Sequence, residues 1–236
     1  MAASIGPTPS FAQALRALTV GVIAEVKRRS PSKGWINPGM SAVEQARAYE
    51  GGGAAAISVL TEPDHFGGSI DDLIAVRDAV KLPILKKDFH VDPIQLIEAK
   101  AVGASAALLI ARALSPTLLT EMMDAANQLR LEVLVEVRDE DELSRALDAG
   151  AIVIGINNRN LETLVIDATT SERLLGLLPR SIAAIAESGV TSRADVERLA
   201  GAGADAVLVG SAVSASPDPE SAVRELSTVT RVARER

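Results

Sequence analysis

Four glycine-led apolar stretches recur about every 50 residues and alternate with four further apolar runs and with helical segments. That rhythm predicts an α/β chain folded as a (β/α)8 TIM barrel. The glycine-led stretches are 53–60 (GAAAISVL), 103–110 (GASAALLI), 150–157 (GAIVIGIN) and 203–210 (GADAVLVG). The runs between them are 22–27 (VIAEVK), 83–87 (PILKK), 132–137 (EVLVEV) and 182–187 (IAAIAE). Most are continuously apolar, as strands covered on both faces are. A doubly wound open sheet is the rival, but no G-x-G-x-x-G follows the first strand.

Each strand is followed by a segment mixing Ala, Leu and charge, at 42–50, 70–80, 93–101, 115–129, 140–149, 170–178, 192–200 and 218–232. Ser192 with Asp195 three positions on, and Pro116 after Ser115, are helix starts. Gly103, Gly150 and Gly201 stand where helices should stop. A short amphipathic segment, 11–18, is expected to cover the bottom or rim of the barrel. The whole span 1–236 reads as one domain.

Lys plus Arg is 24 and Asp plus Glu 31, a formal charge of −7. So acidic a chain is a poor coat for nucleic acid. It has no cysteine and two histidines, which excludes thiolate chemistry and His-rich metal centres. With no signal-like N-terminus and no apolar run of membrane length, it reads as a soluble cytoplasmic protein.

Charges interrupt the strands at one end. Glu25 and Lys27, two apart, share a face; Lys86, Lys87 and Asp88 end the third strand; Glu136 lies in the fifth and Glu187 in the seventh. They pair as structural ions or form a chemical site, and their common end favours a site, because active sites of this fold lie at that mouth. Lysines there supply acids or stabilise an oxyanion; glutamates supply acids or bases. Ser188-Gly189 and Gly210-Ser211, after the seventh and eighth strands, suit a phosphate. The loop at 28–35 (RRSPSKGW) reads as basic and mobile. Phe66 and Phe89 fall at the mouth as walls for an aromatic ligand, and His65 and His90 read as loop or surface residues. Asn157 and Arg159 end the sixth strand, where an amide and a guanidinium orient a hydroxylated or anionic substrate.

With these motifs the chain resembles indole-3-glycerol phosphate synthases over nearly its whole length: IAEVKRRSPSKG (23–34), ISVLTEPDHFGGS (57–69), PILKKDF (83–89), LVEV (134–137), GINNRNL (155–161), AESG (186–189) and LVGS (208–211). The resemblance implies a cofactor-free carboxy-lyase of tryptophan biosynthesis that closes the pyrrole ring of 1-(2-carboxyphenylamino)-1-deoxyribulose 5-phosphate, losing carbon dioxide and water. It implies Lys87 as general acid and Glu136 as acid–base partner in dehydration. Lys27 would contact the substrate and aid proton transfer, Glu25 would hold the lysines, and Asn157 and Glu187 would orient the substrate. Ser30, Arg159, Ser188, Gly189, Gly210 and Ser211 would line the phosphate end, and Phe89 and Leu108 the anthranilate ring. A monomer with a small phosphorylated substrate, and no nucleic-acid or membrane partner, is expected. The sequence departs from the family in a shortened N-terminal extension and in Trp35, His90 and Arg138. Phosphoribosylanthranilate isomerases are a second reading, but they use a cysteine. A non-catalytic phosphate-sugar binding barrel is a third, and it would not need Lys87 and Glu136 together.

Overall fold

The computed structural model describes residues 8–234. The N-terminal extension, expected to be shortened, falls in part on residues 1–7, outside the described residues. Eight parallel strands close a barrel: β1 (Gly21–Val26), β2 (Ala56–Leu60), β3 (Ile84–Lys87), β4 (Ala106–Ile110), β5 (Glu132–Val137), β6 (Val153–Asn157), β7 (Ala183–Glu187) and β8 (Ala206–Val209). Each pairs with its sequence neighbour, and β1 pairs with β8, Ile23 opposite Leu208. A helix follows every strand, as the alternation predicts.

The repeating glycines do not begin strands. Gly53, Gly103, Gly150 and Gly203 have φ of +85°, +84°, +82° and +96°. Each ends a helix in the left-handed region, where a Cβ is penalised, and each strand begins three residues later at the first three sites and at Ala206 in the last. Gly203 closes its helix, whereas Gly201, expected to do so, is its last helical residue. The final helix is also shorter than its pattern: Asp218 caps Pro219–Ser227. The β-branched stretch after it runs back along the barrel bottom, where Thr230 bridges Thr19 and Val20 N–H donates to Val229 O at 2.8 Å.

The helix within 11–18 covers only Phe11–Ala14, capped by Ser10. Phe11 and Leu15 are fully buried against Ile23, Leu85, Leu134 and Ile185 inside the barrel. They plug its bottom, so the lower interior is dry and apolar. The side chains that alternate outward, such as Val22, Ile57 and Val207, pack under the helices in a separate outer core.

Above the apolar interior the chemistry changes. Glu25, Lys87, Glu136 and Glu187 come from β1, β3, β5 and β7, the alternate strands that contribute one layer of a barrel interior. Strand parity decides who joins it. Lys86, one residue from Lys87, points outward and lies buried beneath the helix Pro93–Ala101, so it is not at the mouth.

Candidate active site

Lys87 stands at the centre of the charged layer. Its ammonium lies 3.8 Å from Glu25 Oε2, and Glu25 Oε1 holds Lys27 Nζ at 2.5 Å. Gly210 makes room for that pair: a Cβ there would sit 2.4 Å from Glu25 Oε1 and 2.8 Å from Lys27 Nζ. The glycine assigned to a phosphate therefore also admits two charged side chains. Behind the layer, the Tyr49 and Ser214 hydroxyls both donate to the Glu25 carbonyl, at 3.1 and 2.8 Å. These two supports carry no sequence motif and were not foreseen.

The Glu136 carboxylate accepts a hydrogen bond from Asn157 Nδ2 at 2.9 Å, and Asn157 Oδ1 accepts from Arg159 N–H at 2.9 Å. The neighbouring Asn158 turns away. Its side chain is buried, donating to Ser188 O and accepting from Ser171 N–H, which fixes the turn after β7. There Ser188 and Gly189 adopt φ of +65° and +85°. Glu187 packs over Gly155, and its Oε1 is buried without a hydrogen-bond partner among the described residues.

The three carboxylates are 2%, 3% and 2% exposed (Glu25, Glu136, Glu187), whereas the Lys87 side chain keeps 18%. Burial favours the neutral lysine, but Glu25, Glu136 and Glu187 outweigh it and hold Lys87 protonated above its ordinary range. Burial, then the Glu136 charge, raise Glu187 well above the usual carboxylate range against the pull of Lys87. Burial also opposes ionisation of Glu25, yet Lys27 and Lys87 prevail and lower it. The layer thus pushes two buried carboxyl groups in opposite directions, Glu25 toward the ionised form and Glu187 toward the protonated one.

Two joined cavities open on this layer. One, polar through Glu25, Lys27, Ser30, Lys33, Arg159, Glu187, Ser188 and Ser211 with Gly189 and Gly210, is also walled by apolar side chains that include Phe66 and Leu208. The other is mainly apolar, lined by Leu60, Phe66, Phe89, Leu108, Ile110 and Leu161, with Glu136 at its edge. Lys87 and Asn157 line both. The Phe66 and Phe89 rings stand 6.3 Å apart, tilted by 45°. Of the strand-end charges, Lys86 lines neither; every residue to which the resemblance gives a role lines one or the other. Leu161, Leu164 and Ile166, from the loop after β6, line the cavities too. They were overlooked, although a run of apolar residues in a loop is itself a signal. Among the described residues no three His, Asp or Glu side chains converge to hold a metal ion.

The 28–35 loop is not a free basic flap. Arg29–Ser30 pairs with Gly34–Trp35 in a hairpin, and Ser30 Oγ accepts from Lys33 N–H. Arg28 forks onto Asp72 at 2.5 and 2.9 Å, and the Arg29 guanidinium lies 5.7 Å from the Trp35 ring centroid. Its two arginines are spent on neighbours, so Lys33 is the loop's cation in the polar cavity, beside Lys27, Lys87 and Arg159.

His65 is exposed, as read, but His90 is not. It is 2% exposed, with its ring Nδ1 2.8 Å from Leu108 O. Burial and the Lys86 charge lower it to about 4. Unfolded, the imidazole titrates near 6.5, so between those values the unfolded chain binds a proton that the fold refuses. Stability therefore falls as pH drops through this window, by about 3 kcal/mol for this group. Thermal melts from pH 7 to 4 should show a steeper decline in the parent than in His90→Phe. Parallel declines would remove His90 as the cause.

Comparison with known proteins agrees with this geometry. The chain is 50% identical over 227 residues to the indole-3-glycerol phosphate synthase of Mycolicibacterium smegmatis, covering 96% of this chain and 84% of that protein. It is 51% identical over 228 residues to that of Mycobacterium ulcerans, with the same coverage. Among solved structures, an N-acetylmannosamine-6-phosphate 2-epimerase from Clostridium perfringens superposes with a TM-score of 0.65 at 15% identity, over 89% of this chain and 93% of that one. A 3-hexulose-6-phosphate synthase gives 0.65 at 17%, over 88% and 98%. These two share the fold alone. The family model for indole-3-glycerol phosphate synthase matches residues 2–226, and the chain belongs to that family.

Proposed function

We propose that this mouth closes the pyrrole ring of indole-3-glycerol phosphate from 1-(2-carboxyphenylamino)-1-deoxyribulose 5-phosphate, with Lys87 as the proton donor of ring closure. The observation that carries the reading is the division of the mouth. An aromatic-lined cavity and a polar one with a serine–glycine rim meet at one lysine, as a substrate with a ring at one end and a phosphate at the other requires.

The carboxylate-bearing ring carbon attacks the ribulose carbonyl carbon, and the carbonyl oxygen takes a proton from Lys87. Carbon dioxide leaves, and its bonding pair restores the aromatic ring. Glu136, protonated from water during turnover, then gives its proton to the new hydroxyl, which departs as water, while the neighbouring carbon's proton passes to the amine of Lys87, forming the double bond and restoring the ammonium. Glu25 holds both lysines. Lys27 stands between that carboxylate and the polar cavity, where it holds substrate and aids proton transfer. Asn157 orients Glu136, and Glu187 is left with an oxygen for a substrate hydroxyl. Ser30, Arg159, Ser188, Gly189, Gly210 and Ser211 receive the phosphate, and Phe89 and Leu108 the ring.

No step exchanges electrons with an outside oxidant or reductant, so the reading needs no cofactor. It takes residues 1–236 as one domain working as a cytoplasmic monomer, without nucleic acid or membrane. The acidic balance supports this, and no helix among the described residues is long and apolar enough to cross a membrane.

Steady-state turnover followed by indole fluorescence tests the reaction. Binding without turnover would favour a phosphate-sugar binding barrel. In Glu136→Gln the dehydration should slow about a hundredfold or more. Rapid quench should then show a decarboxylated, still hydroxylated intermediate accumulating; a parent-like time course would remove Glu136 from that step.

A further inference from the structure

The mechanism leaves one buried cation unused. Lys86 is 1% exposed in the layer between barrel and helices. Its ammonium meets Glu98 Oε2 at 3.1 Å, Asp88 Oδ2 at 3.2 Å and His90 Nε2 at 3.4 Å. Each partner reaches further. The Asp88 carboxylate accepts from Phe89 N–H at 2.8 Å and from the Thr61 hydroxyl, at the end of β2, at 2.5 Å. The His90 ring meets Leu108 O, on β4. With Nε2 facing an ammonium, that nitrogen is the acceptor, so Nδ1–H is the donor to Leu108 O.

The network therefore surrounds one turn, Lys87-Asp88-Phe89, which carries the proposed proton donor and one wall of the ring cavity. Leu108, another wall, is fastened to it through His90. A buried ion network is at best neutral for stability against apolar packing of equal volume. What this one supplies is direction, because Glu98 on the helix, with Asp88 and His90 in the loop after β3, fixes the ammonium from both sides and allows the turn one arrangement.

We propose that Lys86 is a positioning residue for this active site: from outside the barrel it locks the Lys87–Phe89 turn, and through His90 the Leu108 wall, in the geometry that ring closure needs. The inference rests on the reading of Lys87 as the proton donor. It differs from a general structural role in what it spares. The phosphate rim lies on β7 and β8, across the mouth from β3, and shares none of these hydrogen bonds.

Lys86→Met keeps the length and removes the charge. It should lower kcat about tenfold or more and leave the affinity for inorganic phosphate, measured by calorimetry, within twofold of the parent. Lys86→Arg should recover most of the rate. An unchanged kcat in folded Lys86→Met would overturn the proposal, as would kcat and phosphate affinity falling together. Should Lys86→Met not fold, His90→Phe reads the same link without stranding a buried charge. It should lower kcat at least threefold at parental phosphate affinity, and a parental kcat would overturn the proposal. Lys87→Ala is run beside them. If it keeps turnover, the reading of Lys87 fails; if it is inactive while Lys86→Met and His90→Phe are parental, only the positioning role fails.

Discussion

Lys87→Ala should turn over about a thousandfold more slowly than the parent while binding substrate within about tenfold, because its proton moves only as the transition state forms. The ammonium is held by Glu25 at 3.8 Å and by the fields of Glu136 and Glu187, so its removal leaves the carboxylates with Lys27 as the nearest cation. Glu187 should then hold its proton more tightly still, since Lys87 is the charge that opposes its neutral form. Lys87→Arg separates charge from acidity. A guanidinium restores the field but cannot release a proton near neutral pH. It should therefore be nearly as slow as alanine. A rate recovered by arginine would mean that charge alone is needed and that the proton comes from elsewhere. Kinetics of both variants under saturating substrate decide it.

The second large effect is expected from a single methyl group. A Cβ at Gly155 would lie 2.0 Å from Glu187 Oε1 and 3.1 Å from Leu134 Cδ1. No carboxylate tolerates the first contact, and Leu134 is fully buried, so Gly155→Ala must push Glu187 out of the layer. The cost is that of overpacking, about 1–3 kcal/mol, with a loss of kcat of about a hundredfold as Glu187 leaves its station. The collision has one principal partner, which makes it separable. Combining Gly155→Ala with Glu187→Ala should restore much of the melting temperature without restoring activity. Additive losses of stability in the double variant would show that the methyl group clashes elsewhere.

The barrel was legible because its strands are short, apolar and regularly spaced. The site was legible because charge inside such strands is costly and therefore conspicuous. Glu25, Lys87, Glu136 and Glu187 all stood out on that ground, and they share one layer. The same reasoning misplaced Lys86: in a run of adjacent charges, only strand parity tells which points inward. His90 was read as a surface residue because its two partners, Lys86 and Leu108 O, meet it only through folding. The 28–35 hairpin looked mobile for a related reason. Its Arg28 is pinned by Asp72, 44 residues away, which no local pattern reveals. The helix end at 232 was misjudged because tertiary pairing at the barrel bottom, including the Thr19–Thr230 bridge, overrode local propensity.

The ring closes by pairing its first strand with its last, and the segments outside that seam, around Thr19 and Thr230, are stitched to each other below it. That seam joins the two barrel strands furthest apart in sequence. Joining it costs nearly the full loop entropy of the chain, so it forms late, when the other strand pairs are already in place. Until then Phe11 and Leu15 have only part of a wall to pack against. A ribosome must therefore release β8 before the interior can become dry, and the nascent barrel spends its synthesis as an open, edge-exposed sheet. Cells making this protein quickly would depend on chaperones that shield unpaired strand edges more than on any that assist helix formation.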